Sequence, residues 1–481
     1  MERYQLPVRK FINDHLNADT LKLALKKSPF PDIPMRELLL QIEGKRKAKE
    51  KIPSFFQTDD IVYPLSVSME QCSSEQTSLY KASLCGGNQL VDLTGGFGVD
   101  AWMFSKKFDK VVYCEKDENL VNIARHNFSV LHAQNIDIQH GDGMDFLKQQ
   151  KRTFDWIYID PSRRDRHNRK MQALSDCTPD VVENLDVLFQ YGNRIMLKTS
   201  PMLDIDKAVS DLKQVEAIHI VAVKNEVREV LYIMKKNSTV SSCVESQQRR
   251  HCEGGSPKQS RGHCGLDPQQ RSGLLRYARN DGSMTHCTVL QQLPPSNSPW
   301  ESSFRLRGYE AGEISRHYVY AHSVECNSPL KMVAVNILPD AIQSFSFSKE
   351  ELQNAEAVFS MPLAFLYEPN AAVMKSGAFN LVSARFNIFK LHRNSHLYTS
   401  DRSLPDFPGR IFKIKETMAY KPVKDLSRAN VSVRNFPDTP AEVRKKLKIS
   451  DGGDVFLFCT TLVNDKPAML WCEKEPQYIQ A

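Results

Sequence analysis

A chain of 481 residues exceeds what one compact core holds, so two to four domains are expected. Its 41% hydrophobic and 25% charged residues are those of an ordinary soluble globular protein, and the formal charge of +7 permits nucleic-acid binding without requiring it. The 11 scattered cysteines contain no CxxC pair, which excludes a disulfide framework and a ribbon-type zinc site. The start, MERYQLPVRKFINDHLN, has no apolar h-region and no later stretch reaches membrane-spanning length, so a cytoplasmic protein is expected.

Residues 1–72 read as a helical region, broken at KSPFPDIP (27–34). Its second helix runs into GKRKAKEK, where Lys45, Arg46, Lys47, Lys49 and Lys51 form either a solvated face or a phosphate contact. SSEQ (73–76) matches a capping box with Ser73 as N-cap and Gln76 reaching back, opening a helix that stops at Gly86-Gly87. From there strands and helices alternate. QLVDL (89–93), KVVYCE (110–115), IDIQHGD (136–142), FDWIYID (154–160) and RIMLKTS (194–200) are the strands, a spacing that means a parallel, doubly wound sheet. EAIHIVAVKNEVREVLYIMKK then holds two runs, 216–223 and 227–234, joined by a tight turn, so the last strand is antiparallel. The fold class expected is therefore α/β and Rossmann-like, of the class I methyltransferase type, with a helical N-terminal region and α+β domains at the C-terminal end.

Residues 237–290 are rich in Ser, Gly, Gln and Arg without apolar periodicity and read as a disordered low-complexity insertion. The pairs His251-Cys252, His263-Cys264 and His286-Cys287 match no standard ligand spacing, so no metal is expected. Beyond it, KMVAVNIL, DVFLFCTTL and PAMLWC are strands, the last two a hairpin across VNDK. TPAEVRKKLKI is a helix with Thr439 as N-cap and Pro440 at its first position. The boundaries expected are 291–406 and 407–481 for two smaller α+β domains.

The chemistry starts at VDLTGGFGVD (91–100), a strand, a glycine turn and a helix start. A dinucleotide would bring a pyrophosphate there, and Asp92 would face its negative charge. S-adenosylmethionine brings a cationic sulfonium and a cationic amino group, which a carboxylate at the strand end attracts. Gly95, Gly96 and Gly98 let the backbone approach such a ligand, and Thr94 and Asp100 belong to the same cofactor-binding set. Glu115 closes the next strand, near the offset of roughly twenty residues expected for a ribose-binding carboxylate. Asp142, after the third strand, can accept from the adenine amine.

The fourth strand ends in YIDPSRRD. Amino-methylating enzymes carry an acid, a proline and usually an aromatic here, and orient the acceptor nitrogen through oxygen acceptors. Asp160 and Pro161 fit, while Ser162 and Arg163 stand where the aromatic would be; all four are the candidate catalytic residues. Arg163 and Arg164 could instead grip a phosphate or stack on a base, and a polar strand-end turn is the bland alternative. Lys198-Thr199-Ser200-Pro201 ends the fifth strand on the same edge, as a substrate contact or as a turn.

EQCSSEQTSLYKA, VDLTGGFGVDA, YIDPSRRD, LYEPNAAVMKSGAF (366–379), KLHRNSHLYTSD (390–401) and FPGRIF together resemble the bacterial class I S-adenosylmethionine-dependent methyltransferases with a C-terminal THUMP-like domain. The resemblance implies a methyltransferase domain at 73–236, a ferredoxin-like domain, a THUMP-like end, and RNA (tRNA or rRNA) as the substrate, by analogy of architecture. His392, His396 and Tyr398 then become candidate substrate-lining residues, and Arg434, Lys424 and the run Arg444, Lys445, Lys446, Lys448 a candidate RNA footprint; a structural role is the alternative for each. Two other readings compete, an enzyme with a protein or small-molecule acceptor and a non-catalytic RNA-binding protein that keeps the pocket.

Overall fold

The structure is a computed structural model that describes residues 6–163, 174–236, 329–423 and 426–476. The expected insertion at 237–290, with its His-Cys pairs, lies outside the described residues. Among the described residues no helix is long and apolar enough to cross a membrane.

In chain order the strands are β1 (Gly87–Asp92), β2 (Phe108–Glu115), β3 (Ile136–His140), β4 (Phe154–Ile159), β5 (Ser162–Arg163), β6 (Cys177–Thr178), β7 (Gly192–Thr199), β8 (Val215–Val223) and β9 (Glu226–Lys235). They continue as β10 (Lys331–Ile337), β11 (Ile342–Ser348), β12 (Phe365–Pro369), β13 (Phe389–Lys390), β14 (Tyr398–Ser400), β15 (Gly409–Met418), β16 (Asn430–Arg434), β17 (Val455–Thr461) and β18 (Pro467–Lys474).

The first sheet has the order β11-β10-β8-β9-β7-β4-β1-β2-β3. Strands β3, β2, β1, β4 and β7 run parallel, and β9 is antiparallel to both β7 and β8. The reversal is local chemistry: Lys224 and Asn225 take φ of 51° and 65°, the pair of left-handed residues that a two-residue hairpin needs. Successive side chains along each central strand enter different cores. Leu90, Val111 and Trp156 join the cluster of Ile52, Phe55 and Trp102, which docks the N-terminal helices on one face. Val91, Val112 and Ile157 join a second cluster with Leu188, Leu197 and Ala208 on the other. That second cluster continues into Tyr367, Val373 and Phe407, so the C-terminal part packs on the same core.

One expectation about boundaries is corrected. The first sheet does not end at β9: β10 pairs in parallel with β8 and β11 pairs with β10, so residues 331–348 extend the methyltransferase-type sheet rather than opening a new domain at 291. Strand β12 pairs with β15 across 406/407, so one seven-stranded sheet, β13-β14-β12-β15-β18-β17-β16, carries both expected C-terminal parts. The start expected at 291 follows composition, which does not show which sheet takes a strand.

Locally, the SSEQ helix has Ser74, not Ser73, as its N-cap, accepting from the Thr77 amide at 3.2 Å. Ser73 is released for another contact described below. Asn370 and left-handed Gly377 cap the helix Ala371–Ser376, and Thr439 forms a capping box with Glu442.

Candidate functional site

The carboxyl edges of β1, β2, β4 and β7 open into one cleft of about 770 Å³. Asp92, Thr94, Gly95, Gly96, Gly98, Asp100, Glu115, Asp142, Asp160, Pro161 and Ser162 all line it. The side chain of Arg163 and the whole of Arg164 lie outside the described residues.

The turn after β1 is built by close approach. A Cβ on Gly95 would lie 2.2 Å from the Tyr113 ring, and Gly98 holds φ of 86° as it starts the helix Val99–Ser105. Leu93 N donates to Tyr158 O at 3.0 Å and Gly95 N to Cys114 O at 2.8 Å, tying the turn to its neighbours on both sides.

Asp92 is 1% exposed. Its Oδ1 accepts from the Thr94 amide at 3.0 Å, while Oδ2 is buried with no partner. Burial drives its pKa well above the usual carboxylate range, the Thr94 amide opposes this, and Asp100, Asp160 and Glu115 push it further up. A buried acceptor left empty beside three other carboxylates is a seat for a cation or an N–H donor. Glu115 accepts from Gly96 N at 2.8 Å on Oε2 and from Asp117 N at 2.8 Å on Oε1. Each oxygen keeps a further lone pair, so two hydroxyls can still donate to it.

Two of the expected cofactor contacts have other occupations. Asp142 caps the helix Gly143–Lys148, with Oδ1 accepting from Met144 N (2.7 Å) and Asp145 N (3.0 Å) and Oδ2 paired with Lys116 at 2.6 Å. Its carboxylate therefore serves the fold as well as the cleft wall. Asp100 turns away into a buried network. Ser78 (2.6 Å), Ser73 (2.7 Å) and Tyr158 (2.8 Å) donate to it, and Lys81 stands 3.2 Å away. Burial alone would raise its pKa, yet Lys81, Lys198 and the serine hydroxyls bring it to about 2. Lys81, itself fully buried, also donates to both oxygens of Glu229 at 2.9 Å. Lys81 and Glu229 were missed in the sequence, although Lys81 sits on the buried face of its helix and Glu229 interrupts an apolar strand.

At the end of β4, Asp160 N donates to Thr94 Oγ1 at 2.7 Å, and Asp160 Oδ2 is ion-paired with Lys198 at the end of β7. Pro161 and Ser162 follow on the rim. What is assembled is an acidic cleft with an empty buried carboxylate oxygen and a held strand-end aspartate beside it.

The expected basic surfaces are largely spent on the fold. Arg46 donates to the carbonyls of His15, Leu16 and Ala18, Lys47 pairs with Glu70 at 2.6 Å, and Lys51 reaches the Met69 and Glu70 carbonyls. Arg434 joins Arg410 on the buried Glu368; Lys424 lies outside the described residues. Arg444 and Lys446 pair with Asp451 and Asp438. His392 also has a structural post, since its Nδ1 accepts from Asn394 N (3.1 Å) and Asn435 (2.9 Å) and its Nε2 then donates to Asp465 (3.0 Å). His396 stacks on Phe379 at 3.6 Å, and burial with Lys390 and Arg434 nearby lowers its pKa to about 4. Neither histidine lines the cleft.

Comparison with known proteins fits this geometry. A ferredoxin-like domain model matches residues 365–408 and a THUMP domain-like model matches residues 409–474. A crystal structure of a candidate methyltransferase from Porphyromonas gingivalis W83 superposes with a TM-score of 0.71 at 26% identity, covering 98% of each chain. The chain has the class I methyltransferase fold with a THUMP-like C-terminal part. An uncharacterized RNA methyltransferase of Mycoplasma mobile is 26% identical over 159 residues, 30% of this chain. That match spans 43% of the relative's length.

Proposed function

We propose that the protein is an S-adenosylmethionine-dependent methyltransferase acting on a nitrogen in RNA. The observation that carries the reading is the orphaned, buried Oδ2 of Asp92 at the floor of an acidic cleft. A diphosphate would meet Asp92 and Glu115, which no lysine pairs among the described residues, whereas an ammonium beside a sulfonium answers them. Asp92 would receive the amino group and Glu115 the ribose hydroxyls, with Gly95, Gly96 and Gly98 lying against the ligand. Thr94 and Asp100 line the pocket with their side-chain oxygens already engaged, by the Asp160 amide and by the buried network, and Asp142 fits the base end of the pocket through the lone pairs its cap and Lys116 leave. The cofactor supplies an electrophilic methyl group; its transfer to nitrogen leaves a neutral thioether and releases one proton.

This chain's own share is positioning. Asp160 and the carbonyl beside Pro161 accept from the acceptor's N–H groups and aim its lone pair, with Ser162 and Arg163 at the rim of the same turn. RNA is the acceptor class favoured by the THUMP-like part, by the named activity of the Mycoplasma mobile relative and by exposed Lys445 and Lys448. The test is mass spectrometry of nucleosides from total RNA of wild-type and gene-deletion strains. One methylated nucleoside should fall in the deletion and return with the wild-type gene but not with Asp160→Ala; identical nucleoside profiles would refute the RNA assignment.

A further inference from the structure

We infer that Lys198 is a positioning residue for this reaction, its ammonium clamping one oxygen of Asp160 so that the other is presented to the acceptor nitrogen. The inference rests on the methyltransferase reading above and adds a residue to it.

The sheet brings the two together. Strands β4 and β7 pair in parallel with Ile159 opposite Leu197, so the next residues, Asp160 and Lys198, end side by side on the carboxyl edge. The Lys198 side chain is 12% exposed and that of Asp160 34%, so the lysine lies beneath and the aspartate at the cleft wall. Around them, the ammonium groups of Lys81 and Lys198 share the carboxylates of Glu229, Asp100 and Asp160, with Asp92 beyond. Lys81 satisfies Glu229 through both its oxygens and stands against Asp100, whose oxygens also accept from Ser73, Ser78 and Tyr158. Those two carboxylates are already engaged, which leaves Lys198 to Asp160.

The arrangement fixes the aspartate at two points, its backbone amide on Thr94 Oγ1 and its Oδ2 on Lys198. Among the described residues none donates to Oδ1. Burial opposes the ammonium of Lys198, yet Asp160, Glu229 and Asp100 hold its pKa above the ordinary lysine value, so the clamp stays charged. A carboxylate clamped this way keeps an acceptor oxygen turned to the cleft and loses the freedom to swing away from it. No covalent step on Lys198 is involved.

The ordinary alternative is an ion pair that merely seals two strand ends. The alternatives separate because Asp160 is exposed enough to rehydrate when Lys198 is lost, and because removing both members of a buried ion pair often leaves stability nearly unchanged where removing one does not, so the double variant serves as the stability control. Lys198→Met, Lys198→Arg, Asp160→Asn and the double variant Asp160→Asn/Lys198→Met are compared as full-length proteins. Melting temperature, S-adenosylmethionine affinity by calorimetry and tritiated methyl transfer into total RNA of the deletion strain are measured, the last over a range of RNA concentration. Lys198→Met should keep cofactor affinity within about twofold and lose kcat by on the order of 10²-fold with RNA KM little changed, the cost of slight misplacement. Lys198→Arg should recover part of that loss, and the double variant should be no worse than Asp160→Asn. Wild-type rates in Lys198→Met, or losses that multiply in the double variant, would overturn the inference. Loss of fold or of cofactor affinity in both Lys198 variants would assign the residue to structure instead. A wild-type protein that binds the cofactor but labels no RNA overturns the RNA reading itself and withdraws the ground of the inference with it.

Discussion

Asp92→Asn should stabilise the protein without ligand while removing most of its cofactor affinity. Asn keeps the size of Asp and its Oδ1 still accepts from the Thr94 amide. What disappears is the negative charge on a side chain 1% exposed, whose second oxygen has no partner. An unsatisfied buried polar group costs about 1–3 kcal/mol, and Asn, whose amide must sit in the same place, recovers only part, on the order of 1–2 kcal/mol. Spread over the melting entropy of the unit formed by Met1–Asn237 and Ser323–Ala481, that is a rise of roughly 1–3 °C in melting temperature. The sign with pH follows from the raised pKa of Asp92 in the fold. A carboxyl whose folded pKa lies above its unfolded value of about 3.9 contributes fully only below that value. Its contribution is lost as pH rises through the folded pKa, so the advantage of Asn should grow from pH 5 to pH 8. On the ligand side, losing a hydrogen bond to a charged group, about 1.5–3 kcal/mol, weakens binding by roughly 10- to 100-fold. Thermal unfolding at the two pH values and calorimetry with S-adenosylmethionine read both effects. A variant no more stable than wild type at pH 8 that binds the cofactor equally well would refute the reasoning.

Two further outcomes are expected. Glu229→Gln leaves the fully buried Lys81 without most of its counter-charge and should cost about 3–5 kcal/mol, seen as a large fall in melting temperature; an unchanged value would mean that the Lys81 network bears little weight. Replacing exposed Lys445 and Lys448 together by alanine should flatten the salt dependence of RNA binding by on the order of 0.7 per lost contact on a single strand, measured by fluorescence anisotropy, whereas an unaltered slope would place the RNA elsewhere.

Much of the first sheet was legible because its signals are local. Apolar runs such as QLVDL and RIMLKTS announce buried parallel strands, and the Lys224-Asn225 turn announces the antiparallel β9. The cleft was legible for the same reason: ligands of open α/β sheets meet the carboxyl ends of strands, so Asp92, Glu115 and Asp160 could be placed from strand ends alone. The second duties of Asp100 and Asp142 within the fold were not, because a carboxylate that caps a helix or answers a buried lysine looks the same in sequence as one that only lines a cleft. Lys81 and Glu229, and the contact of Ser73 with Asp100, escaped notice since the partners lie 148 and 27 residues apart, beyond any periodicity. The sheet that takes KMVAVNIL was misjudged for a related reason: an apolar strand declares that it is buried, not which sheet takes it. Arg434 looked like part of a basic surface until Glu368 appeared beside it.

A crystal structure of the protein grown with S-adenosylhomocysteine tests the central claim most directly. The ligand's ammonium should sit on Asp92 Oδ2 and its ribose hydroxyls on Glu115, with Asp160 facing the open side of the thioether sulfur. A ligand bound away from these carboxylates, or a cleft that stays empty at saturating concentration, would contradict the account.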